Sequence, residues 1–276
     1  MKKILISLSV VAAVAAVVVG ATTAFFSDTE TSTGNTFTAG AIDLTIDNSA
    51  YSNLELPQGS SWEPKDLVPG DFFFNLSDLK PGDWEEDTIS LHVNNNDAWA
   101  CVDVKLTKND DVTCTEPELG NDGTCAEPDT DFNDGDLAQN VQFMWWADDG
   151  DNVFEDDENI INSGNLGQAP FNQSVSVTLA DPDNNIWTGV EDSPLVGTED
   201  YFIGKAFCLG GLNIVDNTYA SEDVGGDIST SPDARPVICN GSGVNNASQT
   251  DSLMMDISFR VEQSRNNPDF SCQDSG

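Results

Sequence analysis

Apolar and polar residues alternate with a period of two along most of this 276-residue chain. The clearest run, at residues 253–261, places an apolar side chain at every odd position. This pattern is typical of a strand with one buried face, and it recurs at residues 42–46, 89–93, 102–106, 141–145, 175–179 and 200–209. Because strands of this kind bury their apolar faces by packing two sheets together, we predict an antiparallel β-sandwich.

Turn-forming residues separate these strands, as in Lys80-Pro81-Gly82-Asp83 and in residues 94–97. The chain contains 22 Gly and 12 Pro, and no segment beyond residue 24 keeps a helical period of 3.6, so a helical protein is excluded. We predict an all-β fold, a single jelly-roll-type antiparallel β-sandwich over residues 36–276. The acidic stretch at residues 110–136 is predicted to be a long loop insertion.

The N-terminus has the features of a secretory signal peptide. Lys2 and Lys3 precede an apolar run at residues 4–19, and small residues follow it. Thr22 and Ala24 suit the −3 and −1 positions of a cleavage site, which predicts a signal peptide over residues 1–24. The run is short for a membrane span, although an uncleaved anchor is the alternative. The mature protein is therefore predicted to be secreted, extracellular or at the cell surface, with no membrane contact after cleavage.

Acidic residues dominate the charge of the chain. The sequence has 48 Asp and Glu against 10 Lys and Arg, and cleavage after Ala24 removes two lysines from a net charge of −38, which leaves −40. Nucleic acids and anionic lipids require a basic surface, so neither is an expected partner.

Six cysteines in an exported chain indicate three disulfides. Cys114 and Cys125 lie eleven residues apart in one polar loop and are predicted to pair locally. The pairing of the other four is left open: Cys101, Cys208, Cys239 and Cys272. The alternative of a zinc site is disfavoured because no C-x-x-C pair occurs and the chain has one histidine.

An acidic loop after the strand at residues 141–145 is the first candidate calcium site, since calcium binds six to eight oxygen ligands. Its predicted ligands are Asp148, Asp149, Asp151, Asn152, Glu155 and Glu158. The loop does not follow the EF-hand template. Counted from Asp148, Gly150 occupies the third position, where an oxygen ligand is required, and Asn159 occupies the twelfth, where the template has glutamate. Partial matches also occur at residues 181–192 and 129–133. The alternative is a solvated acidic surface that maintains solubility or adapts the protein to salt.

Two further features bear on function. Trp145 and Trp146 are adjacent on one strand and face opposite sides, which predicts one in the core and one at the surface or an interface.

His92 alternates with apolar neighbours and is predicted to point outward. A single histidine supplies neither a zinc triad nor a Ser-His-Asp set, so we predict no enzymatic activity, although a hydrolase that uses a carboxylate pair stays open.

Two segments stand out as motifs. They are Phe25-Phe26-Ser27-Asp28 with residues 36–44, and the turn at residues 75–83 with the strand and Asn94-Asn95-Asn96 after it. Together they resemble the TasA/camelysin family of secreted biofilm-matrix fibre proteins. The signal peptide is similar to those cleaved by that family's dedicated signal peptidase, and the resemblance covers roughly the first 107 residues. It implies a jelly-roll subunit of an extracellular filament that polymerises by donor-strand complementation. Some camelysin-like members are classed as metallopeptidases.

For this chain the resemblance implies that residues 25–35 are an N-terminal arm, the candidate donor strand, with Phe25 and Phe26 as anchors. The implied partner is a second copy joined head to tail, and other matrix components can join such a fibre. Calcium would relieve repulsion between the acidic subunits. The alternatives are a frayed terminus on a monomeric, secreted, calcium-ordered binding module, or a camelysin-like metallopeptidase.

Overall fold

The computed structural model describes residues 42–54, 56, 59–125, 134–155, 157–169, 171–214 and 237–274. These residues form strands β1 (Asp43–Ser52), β2 (Trp62–Lys65), β3 (Trp84–Asn94), β4 (Ala98–Asp110), β5 (Val141–Asp148), β6 (Ile160–Asn165), β7 (Ser174–Ala180), β8 (Glu199–Leu209), β9 (Gly211–Ile214), β10 (Val237–Asn240) and β11 (Ser252–Gln263). Two four-residue helices also occur, α1 (Glu116–Leu119) and α2 (Leu137–Asn140). Single 3-10 turns lie at Gly241–Gly243 and Cys272–Asp274.

The strands form two main antiparallel sheets. One contains six strands in the order β2-β1-β3-β8-β5-β6, and the other contains three in the order β11-β4-β7. Strands β9 and β10 pair separately. The connections β3–β4 and β7–β8 each link the six-stranded sheet to the three-stranded sheet. In the first sheet β3 pairs with β8, and in the second β4 pairs with β7. Two inter-sheet connections whose strands pair in this way are a jelly-roll feature. The predicted all-β antiparallel sandwich is confirmed.

Each of the seven segments with period-two alternation forms a strand, namely β1, β3, β4, β5, β7, β8 and β11. Their apolar side chains meet between the two sheets, where Ile89, Leu91, Val102, Val104 and Ile203 are almost fully buried. Burial of a side chain of this size contributes about 1.5–3 kcal/mol. The inter-sheet core is therefore the main source of stability, and it holds the two sheets together.

A second, smaller apolar cluster covers the outer face of the six-stranded sheet. Trp146 lies here, fully buried, with Phe154 and Val237, whereas Trp145 lies in the inter-sheet core. The two tryptophans do face opposite sides, but the prediction that one of them is at the surface or an interface is wrong. The indole of Trp146 lies flat over Gly204 of β8, where a Cβ atom would overlap the ring.

Three disulfides hold the loops to the sheets. Cys114 pairs with Cys125, which confirms the predicted local bond. Cys208 pairs with Cys239 and ties β8 to β10. Cys101 of β4 pairs with Cys272 across 171 residues and fastens the C-terminal segment to the three-stranded sheet.

Several predictions lie outside the described residues and stay predictions. They are the signal peptide at residues 1–24, the arm at residues 25–35 with Phe25 and Phe26, the domain boundary at residue 36, and the partial calcium match at residues 129–133. No helix of the described part is long and apolar enough to span a membrane.

Candidate functional site

The first candidate site is the acidic loop that connects β5 to β6. Carboxylate oxygens of Asp149, Asp151 and Glu155 all lie within 4.8 Å of one another. Two oxygens bound to one calcium ion, each at about 2.3–2.6 Å, lie no more than about 5 Å apart. The structure therefore brings three of the six predicted ligands to a spacing that fits one ion.

Glu155 is the most unusual residue of this loop. It is 0% exposed, and its two buried carboxylate oxygens accept no hydrogen bond from a backbone N–H, hydroxyl or amide group. Burial, with the charge of Asp151 and other neighbouring carboxylates, raises the pKa of Glu155 to about 7. A buried carboxylate in this position is stable only with a bound proton or a bound cation.

Glu158 closes the base of the same loop. Its Oε1 accepts a hydrogen bond from the backbone N–H of Asp149 at 3.0 Å, and its Oε2 accepts one from the backbone N–H of Glu155 at 3.0 Å. Its carboxyl also faces that of Glu155, and burial together with nearby acids, Asp148 and Glu155 among them, raises the pKa of Glu158 to about 10. Two acids held against each other give the loop a high affinity for positive charge.

Asp148 and Asn152 shape the loop. Asp148 Oδ1 accepts a hydrogen bond from Trp146 Nε1 at 2.9 Å, and its Oδ2 accepts two from the backbone N–H groups of Gly150 and Asn152, at 3.0 and 3.2 Å. Burial raises the pKa of Asp148 to about 7 despite these donors. Asn152 is buried with a positive φ of 61°, a conformation that asparagine tolerates better than most residues. Both residues position the three convergent carboxylates.

The partial calcium match at residues 181–192 has a different structure. Asp181 Oδ1 accepts hydrogen bonds from the backbone N–H groups of Asp183 and Asn184, both at 3.0 Å, and its Oδ2 accepts one from Thr178 at 3.0 Å. The side-chain oxygen of Asn185 likewise caps backbone N–H groups. The side-chain oxygens of Asp181 and Asn185 are thus satisfied by local backbone N–H groups and the Thr178 hydroxyl, as in an ordinary Asx turn.

The second candidate site is the outer edge of β11. Among the described residues this 12-residue strand pairs with β4 alone. Ile257, Phe259 and Val261 lie on the face that packs on the core, yet they are only partly buried. A long edge strand with partly exposed apolar side chains readily pairs with another chain.

An aromatic seam lies between β11 and the edge strand β2 of the opposite sheet. The rings of Trp62 and Phe73 are 5.4 Å apart, and the rings of Phe73 and Phe259 are 5.8 Å apart. Next to them in the chain, Phe72 and Val68 expose more than half of their surface. The seam therefore combines an open strand edge with exposed apolar side chains, as expected of a surface that receives a partner.

A buried lysine holds this seam in place. Lys205 of β8 lies opposite Asp87 of β3, and its Nζ is 2.5 Å from Asp87 Oδ2. The same Nζ donates a hydrogen bond to the carbonyl oxygen of Phe73 at 2.9 Å and lies 5.1 Å from the ring centre of Phe74. Lys205 thus connects the six-stranded sheet to the loop that carries the aromatic rings.

Glu85 lies beside this ion pair on the same face of β3. It is fully buried, and neither of its carboxylate oxygens receives a hydrogen bond. Burial, and then the charge of Asp87, raise the pKa of Glu85 to about 8, while Lys205 opposes the shift. Glu85 is therefore mostly protonated at neutral pH, which leaves Lys205 paired with Asp87.

His92 lies on the outer face of β3, as predicted, between two carboxylates. Its Nδ1 is 2.6 Å from Asp200 Oδ1 and its Nε2 is 2.9 Å from Asp47 Oδ2. Burial lowers the pKa of His92, but the hydrogen bonds to Asp47 and Asp200 outweigh that effect and raise it above the usual value. Both ring nitrogens are therefore engaged in a structural ion-pair bridge.

Residues 1–163 match the family described as camelysin metallo-endopeptidase. The chain belongs to this family. The match covers both segments that carry the TasA/camelysin resemblance and confirms it at the level of the family. A comparison with curated proteins gives no match.

The family description implies a catalytic metal. A peptidase zinc is bound by histidine nitrogens together with a carboxylate or thiolate, and it keeps one open position. Both nitrogens of the single histidine are held by carboxylates, and all six cysteines are in disulfides. The described residues do not fit a catalytic zinc.

Proposed function

We propose that this camelysin-family chain is a structural subunit of an extracellular filament. In this proposal residues 25–35 of one subunit pair, as a donor strand, with the outer edge of β11 in the next subunit. The observation that carries the proposal is the β11 edge itself, which is long, amphipathic and only partly buried on its core-facing side. Membership of a family that resembles the TasA fibre proteins supports it.

The arm and the edge agree in length and in chemistry. Eleven residues of extended chain span about 36 Å, and the 12 residues of β11 span about 40 Å, at about 3.3 Å per residue. Alternate side chains of the arm would cover the partly exposed apolar residues of β11. Phe25 and Phe26 would extend the aromatic seam formed by Trp62, Phe73 and Phe259.

The contact is heterologous, because the arm of each subunit binds a different surface on the next. Such a contact does not close on itself and generates a filament. The mature subunit carries a formal charge of −40 if the signal peptide is removed, so neighbouring subunits repel one another. Calcium bound by Asp149, Asp151 and Glu155 would reduce this repulsion and order the β5–β6 loop.

The family description favours a metallo-endopeptidase as the second candidate. The engaged nitrogens of His92 support the structural role over the catalytic one. The third alternative, a monomeric calcium-ordered binding module, differs from a filament subunit in its assembly state, which sedimentation measures directly.

The test compares two lysine substitutions on opposite edges of the three-stranded sheet. Ile257→Lys lies on β11 and Val177→Lys on β7, and both replace a partly buried residue that packs on the core. In the chain that begins at Phe25, with millimolar calcium present, we expect wild type and Val177→Lys to pellet as filaments. Ile257→Lys should stay in the supernatant although it is equally folded by circular dichroism.

Two results would contradict the proposal. One is that Ile257→Lys polymerises as well as Val177→Lys, and the other is that the wild-type chain remains monomeric. A chain that lacks residues 25–35 is the matched control for the arm and should remain monomeric. For the calcium component, Glu155→Gln should raise the calcium concentration needed for half-maximal polymerisation, whereas Asp183→Asn, an exposed acid in another loop, should leave it unchanged.

A further inference from the structure

A second group of acids converges at the insertion between β4 and β5. We use the name insertion cluster for the side chains of Asp111, Glu118, Asp122, Asp134 and Asp251. Asp111 directly follows β4, Glu118 and Asp122 belong to the loop stapled by the Cys114–Cys125 disulfide, Asp134 precedes α2, and Asp251 precedes β11. The cluster therefore joins segments that are far apart in sequence.

The spacing within the cluster fits a single ion. Carboxylate oxygens of Asp111, Glu118 and Asp251 all lie within 4.8 Å of one another. Oxygens that share one calcium ion, each about 2.3–2.6 Å from it, have separations of this size. The negative charge of Asp122 and of Asp134 also acts on Asp111 and raises its pKa.

Hydrogen bonds from the protein fix one oxygen of Glu118 and one of Asp251. Glu118 Oε2 accepts hydrogen bonds from the Thr115 backbone N–H at 3.1 Å and from the Thr250 hydroxyl at 2.9 Å. Asp251 Oδ2 accepts two from successive backbone N–H groups of Asp136 and Leu137, at 2.6 and 3.0 Å. Both carboxylates are thereby held in one orientation.

The remaining oxygens of the cluster lack an ordinary donor. Five buried oxygens accept no hydrogen bond from a backbone N–H, hydroxyl or amide group, namely Asp111 Oδ1, Glu118 Oε1, Asp122 Oδ2, Asp134 Oδ1 and Asp251 Oδ1. Glu118 is 0% exposed and Asp122 is 7% exposed, so water does not replace the missing donors at the surface. A buried carboxylate oxygen without a donor is strongly destabilising unless a cation satisfies it.

No side chain of the described residues balances this charge. No lysine, arginine or histidine among them forms an ion pair with any member of the cluster. The carboxyls of Asp111 and Asp251 face each other at hydrogen-bond distance. Two carboxylates repel each other, so a hydrogen bond between them requires that they share a proton. The cluster is therefore arranged for a positive charge that the chain itself does not supply.

The donor set identifies the class of ion. The sulfur atoms of Cys114 and Cys125 lie beside Glu118, but they are bonded to each other and offer no thiolate. The cluster thus presents carboxylate oxygens, which hard cations prefer. Carboxylate oxygens contributed by separate segments of the chain suit calcium, whereas magnesium requires nearly ideal octahedral geometry and retains several waters.

We propose that Asp111, Glu118 and Asp251 bind one calcium ion, with Asp122 and Asp134 adding negative charge around it. This ion ties the disulfide-stapled insertion to the end of β4 and the start of β11. This site is separate from the β5–β6 loop and does not depend on polymerisation. It lies at the Ser252 end of β11, so the ion would order the strand that the proposed function uses as its receiving edge.

The test uses isothermal titration calorimetry, with calcium titrated into the mature chain. Thermal unfolding is then measured in calcium and in EDTA. We expect Glu118→Gln to remove one calcium site, or to weaken it at least tenfold, and to reduce the rise in unfolding temperature that calcium produces. In EDTA the same variant should unfold at the wild-type temperature or above it, because glutamine keeps the two hydrogen bonds and removes one repelling charge. Asp183→Asn, an exposed acid in another loop, is the control and should leave the number of calcium sites and their affinities unchanged.

Each contrary result is distinct. If Glu118→Gln binds calcium with wild-type stoichiometry and affinity, the cluster is not a site. If the variant loses as much stability in EDTA as in calcium, the role of Glu118 is structural and the proposal is wrong. If magnesium at the same concentration stabilises wild type as much as calcium does, the assignment to calcium is wrong.

Discussion

Replacement of Lys205 by methionine should lower the free energy of unfolding, because it breaks the buried ion pair that supports the aromatic seam. Methionine has nearly the same length and removes only the charge and its hydrogen bonds. Asp87 is fully buried, and in wild type its Oδ2 lies 2.5 Å from the Lys205 ammonium. The Lys205→Met variant removes this cation and leaves the acid buried. We expect the acid to take up a proton, because a lone buried carboxylate is far less stable than a neutral one.

The magnitude follows from the pH. An aspartate in the unfolded chain has a pKa of about 3.9, so keeping Asp87 protonated at pH 7 costs about three pH units at about 1.4 kcal/mol each, or about 4 kcal/mol. This agrees with the ~3–5 kcal/mol lost when one partner of a buried pair is removed. The native variant then binds a proton that the unfolded chain lacks, so its stability rises as the pH falls. At pH 5 the loss should be smaller by up to about 2.7 kcal/mol, the upper bound holding because burial also raises the pKa of Asp87 in the wild type.

Urea unfolding of wild type and Lys205→Met at both pH values measures this difference. The double variant Asp87→Asn with Lys205→Met is the control, since it removes the acid as well, and its stability loss relative to wild type should depend little on pH. A loss in Lys205→Met that is the same at both pH values, or below about 1 kcal/mol at pH 7, would refute the reasoning.

Three further predictions concern other parts of the fold. Because its two carboxylate partners raise the pKa of His92, the bridge stabilises the fold fully below a pH of about 6.5 and loses that effect as the pH rises through the folded pKa. In urea unfolding, His92→Gln should therefore lose the most stability at acidic pH, and a loss that is the same at every pH would contradict this. Gly204→Ala should destabilise by about 1–3 kcal/mol or more in thermal unfolding, because the new methyl group overlaps the Trp146 ring, whereas unchanged stability would show that the ring can move. Replacement of Cys101 and Cys272 by alanine should cost about 2–5 kcal/mol in urea, and a smaller loss would mean that the tail is held mainly by other contacts.

The strands that the sequence predicts are those with at least five residues of clean alternation. Strand β2 was missed because its four residues, Trp-Glu-Pro-Lys, contain a proline, which is typical of an edge strand. Strand β6 was missed because its last four residues are polar or glycine. A signal for the buried charges was present, however, since Glu85 and Asp87 continue the odd-numbered positions of Ile89 and Leu91 on the inward face of β3.

The candidate sites differ in how far the sequence reveals them. The β5–β6 loop is contiguous, so a run of acids after a strand was enough to predict it. The insertion cluster is not contiguous, because Asp111 and Asp251 meet only through the pairing of β4 with β11. That pairing depends on the tertiary fold, which periodicity alone does not specify. The exposed edge of β11 was likewise hidden, since alternation predicts a strand but not its place in the sheet.

In the proposed filament, the arm of one subunit completes the sheet at β11 of the next. The most direct measurement is hydrogen–deuterium exchange on a chain that lacks residues 1–35, with and without a synthetic peptide of residues 25–35. We predict that the peptide slows exchange of amides within Ser252–Gln263 and leaves those of β7 unchanged. Binding without protection of β11, or no binding at millimolar peptide, would contradict the account.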